Sequence, residues 1–183
     1  MGRPYEGLAL HNTEQISFRP MQRSDLLLLQ RWLSAPHVDA WWHQAVDLAG
    51  VVAKYGPRID GVEPTHVFMI EHDGRAVGWI QWYRWRDYRA HADQLGAELT
   101  ASGIDLAIGE VEMLGRGIGS AALRLFVERV VFADAAIGAC IRDPEERNTR
   151  SLRAFEKAGF KVERTIRLEG ESHDRRVVRL DRG

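Results

Sequence analysis

The 183-residue chain contains one cysteine, Cys140, so no disulfide can form within it, which excludes a small stapled secreted scaffold; a reducing cytoplasm is the expected setting. Cys140 itself sits in an apolar strand-like run and reads as a small buried hydrophobe rather than a nucleophile. Long hydrophobic runs are missing too. Stretches such as Leu26 to Leu29 fall far short of the ~20 residues that span a bilayer. Residues 1–15 are interrupted by polar groups every few positions and are expected to be a mobile extension, not a signal sequence. No charge sign dominates: 25 Lys and Arg stand against 26 Asp and Glu, a formal net charge of −1. That balance supplies no general pull toward nucleic acid or a membrane surface. Seven histidines show neither H-x-x-x-H nor H-E-x-x-H spacing, so no metal site is expected. There is no internal repeat, and with 45% apolar residues the stretch 16–183 is long enough to bury one core as a single domain.

What the chain does have is a glycine-rich loop, Leu114-Gly115-Arg116-Gly117-Ile118-Gly119-Ser120, between a strand-like run and a helix-like run that continues to Phe132. Alternating glycines let the backbone turn tightly and approach a ligand without Cβ interference, so successive N–H groups can converge on one anion. The helix that follows adds its first-turn donors and positive dipole end, which suits a phosphate. A dinucleotide site of the Rossmann type is disfavoured, because the loop lies two thirds along the chain and the next strand, residues 137–141, carries no terminal acid. A Walker loop is disfavoured too, since no Lys-Ser or Lys-Thr follows these glycines.

The remaining pattern is an α/β succession. Ile16 to Met21 reads as a strand, and Ser24 as the cap of a leucine-rich helix from Asp25 to Ser34. Residues 45–55 suggest a second, weaker helix. Two strands, 66–71 and 76–83, flank Asp73-Gly74, a strong hairpin signal. Residues 84–103 read as a long irregular loop. A short strand over Ile104 to Glu110 precedes the glycine loop. After it come a helix, a strand over 137–141, a helix over 147–158, and strands over 160–166 and 175–180.

The glycine loop together with Asn148-Thr149-Arg150-Ser151 and Phe155-Glu156-Lys157-Ala158-Gly159-Phe160 resembles the acetyl-coenzyme A signature of the GCN5-related N-acetyltransferases. Ser102-Gly103-Ile104-Asp105, with Trp41-Trp42, Tyr55, Gln81 and Arg142-Asp143-Pro144, is similar to the aminoglycoside 6′-N-acetyltransferase branch, and the likeness runs from about residue 16 to residue 180. The resemblance implies a mixed, mostly antiparallel sheet of about six to seven strands with about four helices. It also implies acetyl-coenzyme A as cosubstrate, an aminoglycoside as the small-molecule partner, and antibiotic resistance as the outcome. Nothing selects a monomer over a homodimer.

By the same resemblance, Asp105 is the general base. A primary amine is almost wholly protonated at neutral pH and must lose a proton before it attacks a thioester. Strand alternation supports this by placing Asp105 with the small residues Ala107 and Gly109, opposite the apolar Ile104, Leu106 and Ile108. A turn-capping role for Asp105 is the alternative. Backbone amides of Ile108 to Glu110 are expected to polarise the thioester carbonyl. Gly115, Arg116, Gly117, Ile118, Gly119 and Ser120 are expected to hold the pyrophosphate, with Asn148 as a helix cap or a contact near the pantetheine arm.

A polycationic acceptor calls for more carboxylates. Asp143 is one, alternatively the N-cap of a following helix that starts at Pro144. Glu63 and Asp87 are others. Adjacent Trp41 and Trp42 cannot both point inward, so one is expected to line a groove; Tyr55 and Gln81 complete the acceptor set. Trp82, Trp85 and Tyr88 are either a second wall or core. Many relatives carry a tyrosine where this chain has Phe155, and a phenyl ring cannot donate a proton to the departing thiolate, which points to Ser151. Two other classes stay open: an acyltransferase acting on a protein N-terminus or a siderophore-type lysine amine, and a binding module without chemistry.

Overall fold

A computed structural model describes residues 15–44 and 46–183. The N-terminal stretch read as an extension lies almost wholly outside them. The elements run β1 (Ile16–Pro20), α1 (Leu26–Leu33), α2 (Pro36–Trp42), α3 (Leu48–Ile59), β2 (His66–His72), β3 (Arg75–Arg84), α4 (Arg89–Leu95), β4 (Ser102–Ile108), α5 (Ile118–Phe126), β5 (Ala139–Arg142), α6 (Thr149–Lys157), β6 (Lys161–Ile166) and β7 (Arg175–Asp181). The strands hydrogen-bond in the order β1-β2-β3-β4-β5-β7-β6. β1 pairs antiparallel with β2, and β7 with both β5 and β6, while β4 and β5 are parallel. The expected mixed sheet is therefore present, with six α-helices rather than four among the described residues.

The chain divides into two compact units. The first comprises the chain up to Gln81 and Leu106–Ile118. Its core gathers Leu26, Leu29, Trp32 and Leu33 from α1, Val51 and Tyr55 from α3, Met69 from β2 and Trp79 from β3. The 3–4 spacing of the α1 residues explains their shared face, and Leu27, off that face, is exposed. The indole rings of Trp32 and Trp79 stack with centroids 6.0 Å apart. Asp73 and Gly74 both have positive φ, the geometry of a two-residue hairpin turn.

Two local expectations are corrected here. Ser24 does not cap α1. It lies inside a tight turn, Arg23–Asp25, where the Asp25 carboxylate accepts from Gln22 N–H at 2.8 Å and is held by Arg19. The second helix starts later than expected, because Asp47 caps it by accepting from Gly50 N–H at 2.8 Å, and a separate helix, α2, precedes it.

The second unit comprises Trp82–Asp105 and Gly119–Gly183. Its core includes Tyr83, Trp85, Ala92, Leu95, Ala139, Ile141, Leu168 and Val177. The segment 84–103 is not an irregular loop. It holds α4, ended by Gly96 with φ +60°, and buries Trp85, Ala92 and Leu95. A single apolar turn among polar residues was too short a pattern to reveal it. Trp82 and Trp85 are core. The helix after the glycine loop widens into a π turn over Val127–Val131.

Gly78 on β3 is required by close approach. A Cβ there would stand 2.2 Å from the Ala107 carbonyl oxygen, a backbone atom that cannot swing aside. Gly78→Ala is expected to cost on the order of 1–3 kcal/mol, read as a lowered midpoint in thermal unfolding, whereas an unchanged midpoint would contradict the packing.

Candidate functional site

In the glycine loop, Gly115 has φ +75° and Gly117 φ +81°, backbone conformations that side-chain-bearing residues rarely adopt. A Cβ on either would meet no atom within 4 Å, so the space over the loop is open. α5 begins immediately at Ile118, where first-turn N–H groups lack intrahelical partners. Glycine backbone in this conformation at a helix N-terminus is of the kind that suits a diphosphate.

The neighbouring amides differ from expectation. Gly109 N–H and Glu110 N–H both donate to the Val77 carbonyl, at 2.8 and 3.2 Å, so neither is available to polarise a thioester. The Glu110 carboxylate accepts from Trp32 Nε1 at 3.0 Å and pairs with Arg31. Trp32 in turn fills the space beside Gly109, where a Cβ would come within 2.1 Å of the indole. His37, not singled out by its sequence context, reaches the Ile108 carbonyl with Nε2 at 3.1 Å.

Asn148 caps α6, its side-chain oxygen accepting from Ser151 N–H at 3.0 Å, so these two residues are brought together at one helix start. Phe155 is buried against Phe160, edge to face at 4.9 Å. Gly159, at φ +97°, ends the helix as expected.

Within the second unit, Asp105 and Asp143 meet at one guanidinium. Arg142 Nε lies 2.6 Å from Asp105 Oδ1, and its Nη1 donates to Asp143 Oδ1 at 2.5 Å. Asp143 is fully buried. Its other oxygen lies 3.3 Å from Arg175 Nη1 and 3.7 Å from His91 Nε2. Arg175 also donates to the Asp143 backbone carbonyl and, through two nitrogens, to Glu171. The His91 ring stacks on Trp85 at 5.4 Å.

The charges compensate one another. Burial pushes the Asp143 carboxyl up, but Arg142, His91 and Arg175 outweigh it and hold the group below the usual carboxylate range. Burial pulls the Arg142 guanidinium down, and the charges of Asp105, Tyr83 and Asp143 raise it above its ordinary value. Tyr83 is raised well above the tyrosine range, first by burial and then by Asp105. Cys140, buried and beside Ser102, has its thiol pushed up to about 12, which makes it a packing residue and not a nucleophile.

The helix-cap expectation for Asp143 is corrected. It caps no helix, since α6 starts at Thr149 under Asn148; its side chain is out of solvent and faces two guanidinium groups.

Within the first unit, Tyr55, Glu63 and Gln81 are brought together by Arg58, which its sequence context had not marked. Arg58 Nε donates to Glu63 Oε2 and its Nη1 to Gln81 Oε1, each at 3.0 Å, and the guanidinium lies 5.3 Å from the Tyr55 ring. Tyr55 is itself 0% exposed and receives a hydrogen bond from Gln44 at 3.2 Å, so it supports this cluster from the core rather than lining a groove. Gln81, 6% exposed, is likewise mostly enclosed. Of the two tryptophans, Trp42 packs on Trp79 at 4.9 Å and Trp41 is 36% exposed, the division expected from their adjacency. Asp87 is a partly exposed neighbour of Arg86 at 3.9 Å.

Because Asp143 is stabilised as a charged group, its contribution to stability is present above the unfolded carboxylate value of about 3.9 and is lost as pH falls through its lower folded value. Asp143→Ala should cost ~3–5 kcal/mol at neutral pH by stranding Arg142 and Arg175. In urea unfolding at several pH values, that deficit should shrink as acid is added; a deficit independent of pH would contradict the pairing.

Among the described residues, no group of three or more His, Cys, Asp or Glu could hold a metal ion, and no helix is long and apolar enough to cross a membrane. Residues 22–168 match the family described as Acetyltransferase (GNAT) domain. Aminoglycoside N(6′)-acetyltransferase type 1 of Klebsiella pneumoniae is 28% identical over 165 residues, covering 87% of this chain and 80% of that protein. Two solved structures are 26% identical. Aminoglycoside acetyltransferase AAC(6′)-Ib in complex with coenzyme A and kanamycin has a TM-score of 0.76, with 91% of this chain and 95% of that one covered. AAC(6′)-Ib in complex with ribostamycin and coenzyme A has a TM-score of 0.77, with 92% and 94% covered. With the family match spanning most of its length, this chain belongs to the GNAT acetyltransferases.

Proposed function

We propose that residues 16–183 act as one acetyltransferase domain that moves the acetyl group of acetyl-coenzyme A to the 6′-amino group of an aminoglycoside, conferring resistance to it. The observation that carries this reading is likeness over nearly the whole chain to an aminoglycoside N(6′)-acetyltransferase and to structures bound to coenzyme A with kanamycin or ribostamycin. A cytoplasmic setting belongs to the same proposal and is supported by the free buried thiol of Cys140.

When bound, acetyl-coenzyme A supplies an activated thioester. The backbone from Gly115 to Ser120 holds the diphosphate at the start of α5. Asp105 takes the proton from the acceptor ammonium, whose pKa near 10 otherwise keeps the nitrogen lone pair engaged, and the free amine attacks directly. With Gly109 and Glu110 committed to Val77, polarising the thioester carbonyl falls to Ile108 N–H. The Ser151 hydroxyl at the start of α6 replaces the missing phenol as the proton source for the departing thiolate. Glu63, Asp87 and the exposed Trp41 serve the acceptor, the acids toward ammonium groups and the indole toward a sugar-ring face.

Thiol release from acetyl-coenzyme A should be strong with kanamycin, and weak with a protein N-terminal peptide, with a lysine derivative and with no acceptor. Asp105→Asn should lower turnover by ~10²–10⁴-fold while calorimetry shows unchanged coenzyme A affinity. Release that prefers the peptide or the lysine derivative, or full turnover by the variant, would refute the reading.

A further inference from the structure

The cluster around Asp105 contains a residue that the transfer chemistry above leaves idle. Arg142 is the last residue of β5, and the parallel pairing of Ser102 with Cys140 sets the register that carries β4 to Asp105 and β5 to Arg142 a few residues later. The guanidinium is a rigid planar fork. Its Nε edge holds one carboxylate at 2.6 Å, and its Nη1 holds another at 2.5 Å. The second carboxylate is itself immobilised: Asp143 is wholly buried, faces Arg175 and His91 through its other oxygen, and adjoins Pro144, whose ring restricts the backbone. Arg175 is anchored in turn by two bonds to Glu171.

We propose that Arg142, fixed from behind by Asp143, is the positioning residue for the Asp105 carboxylate, and that Asp143 serves the reaction through Arg142 rather than by contact with the acceptor. This rests on the reading of Asp105 as the base. A carboxylate on a flexible two-bond stem samples several rotamers, and proton transfer requires one oxygen within hydrogen-bond reach of the amine. Arg142 occupies Oδ1 and thereby sets the plane of the carboxyl.

The groups that face Asp105 are Arg142 and Cys140 from β5, Tyr83 from β3 and Asp143 beyond Arg142. Arg175 and His91 act one shell further out, on Asp143. Arg142 bonds Asp105 and Asp143 together.

The test is kcat and KM for kanamycin acetylation in Arg142→Met, Arg142→Lys, Asp143→Asn and the double variant Arg142→Met/Asp143→Asn, with Asp105→Asn as reference. Arg142→Met should lower kcat at least tenfold and leave KM for acetyl-coenzyme A within twofold. Arg142→Lys keeps the charge but cannot grip both carboxylates at once, so kcat should still fall. Asp143→Asn should lower kcat with KM for kanamycin within twofold, and the double variant should be no slower than Arg142→Met alone.

A raised KM for kanamycin with unchanged kcat in Asp143→Asn would mean a direct ammonium ligand and overturn the proposal. So would wild-type kcat in Arg142→Met, provided Asp105→Asn is inactive. An active Asp105→Asn would instead sink the base reading beneath it. If Arg142→Met or Asp143→Asn fails to fold, Arg142→Lys decides alone: a wild-type kcat in it overturns the proposal.

Discussion

A guanidinium held between two carboxylates is the constraint on which the proposed chemistry of this chain depends. Arg142 lies between Asp105 and Asp143, and withdrawing such charges from water costs several kcal/mol each unless every one is paired. The pairing is nearly complete: Asp143 has Arg142, Arg175 and His91, and Arg175 has Glu171. Each charge is tolerated only because its neighbour is present. A cluster of this kind resists small rearrangements, and a proton acceptor benefits from that resistance, since its rate contribution depends on fixed geometry.

The glycine loop works by the opposite means. It uses few side chains and relies on backbone conformation: two glycines with positive φ, open space above them, and a helix that begins at once. Because the loop acts through its backbone, the apolar side chain of Leu114 is tolerable there. The same reliance on backbone also explains why the amides of Gly109 and Glu110 could be diverted to Val77 without affecting the loop itself.

Legibility in the sequence followed the range of the interaction. The hairpin at Asp73-Gly74, the cap at Asn148, the end at Gly159 and the loop at Gly115 and Gly117 are each decided by a few adjacent residues, and all were readable. The division of labour between Trp41 and Trp42 followed from their adjacency alone. What escaped depends on contacts between distant segments. Arg58 could not be picked out among 25 basic residues, because its partner Gln81 is 23 positions away. The burial of Tyr55 follows from packing of α3 in the first unit's core, and α4 was hidden because only Ala92 and Leu95 mark its inner face. Asp143 before Pro144 looked like a helix cap by local rules. Its true partners, Arg175 and His91, lie 32 and 52 positions away.

Nitrogen-15 spectra of the arginine side chains test the central pairing most directly. The Nε–H of Arg142, bonded to Asp105, should appear as a slowly exchanging resonance that is rigid on the nanosecond timescale and that loses its protection in Asp105→Asn. An Arg142 Nε–H that exchanges with water as fast as those of the exposed arginines, in the unmodified protein, would contradict it.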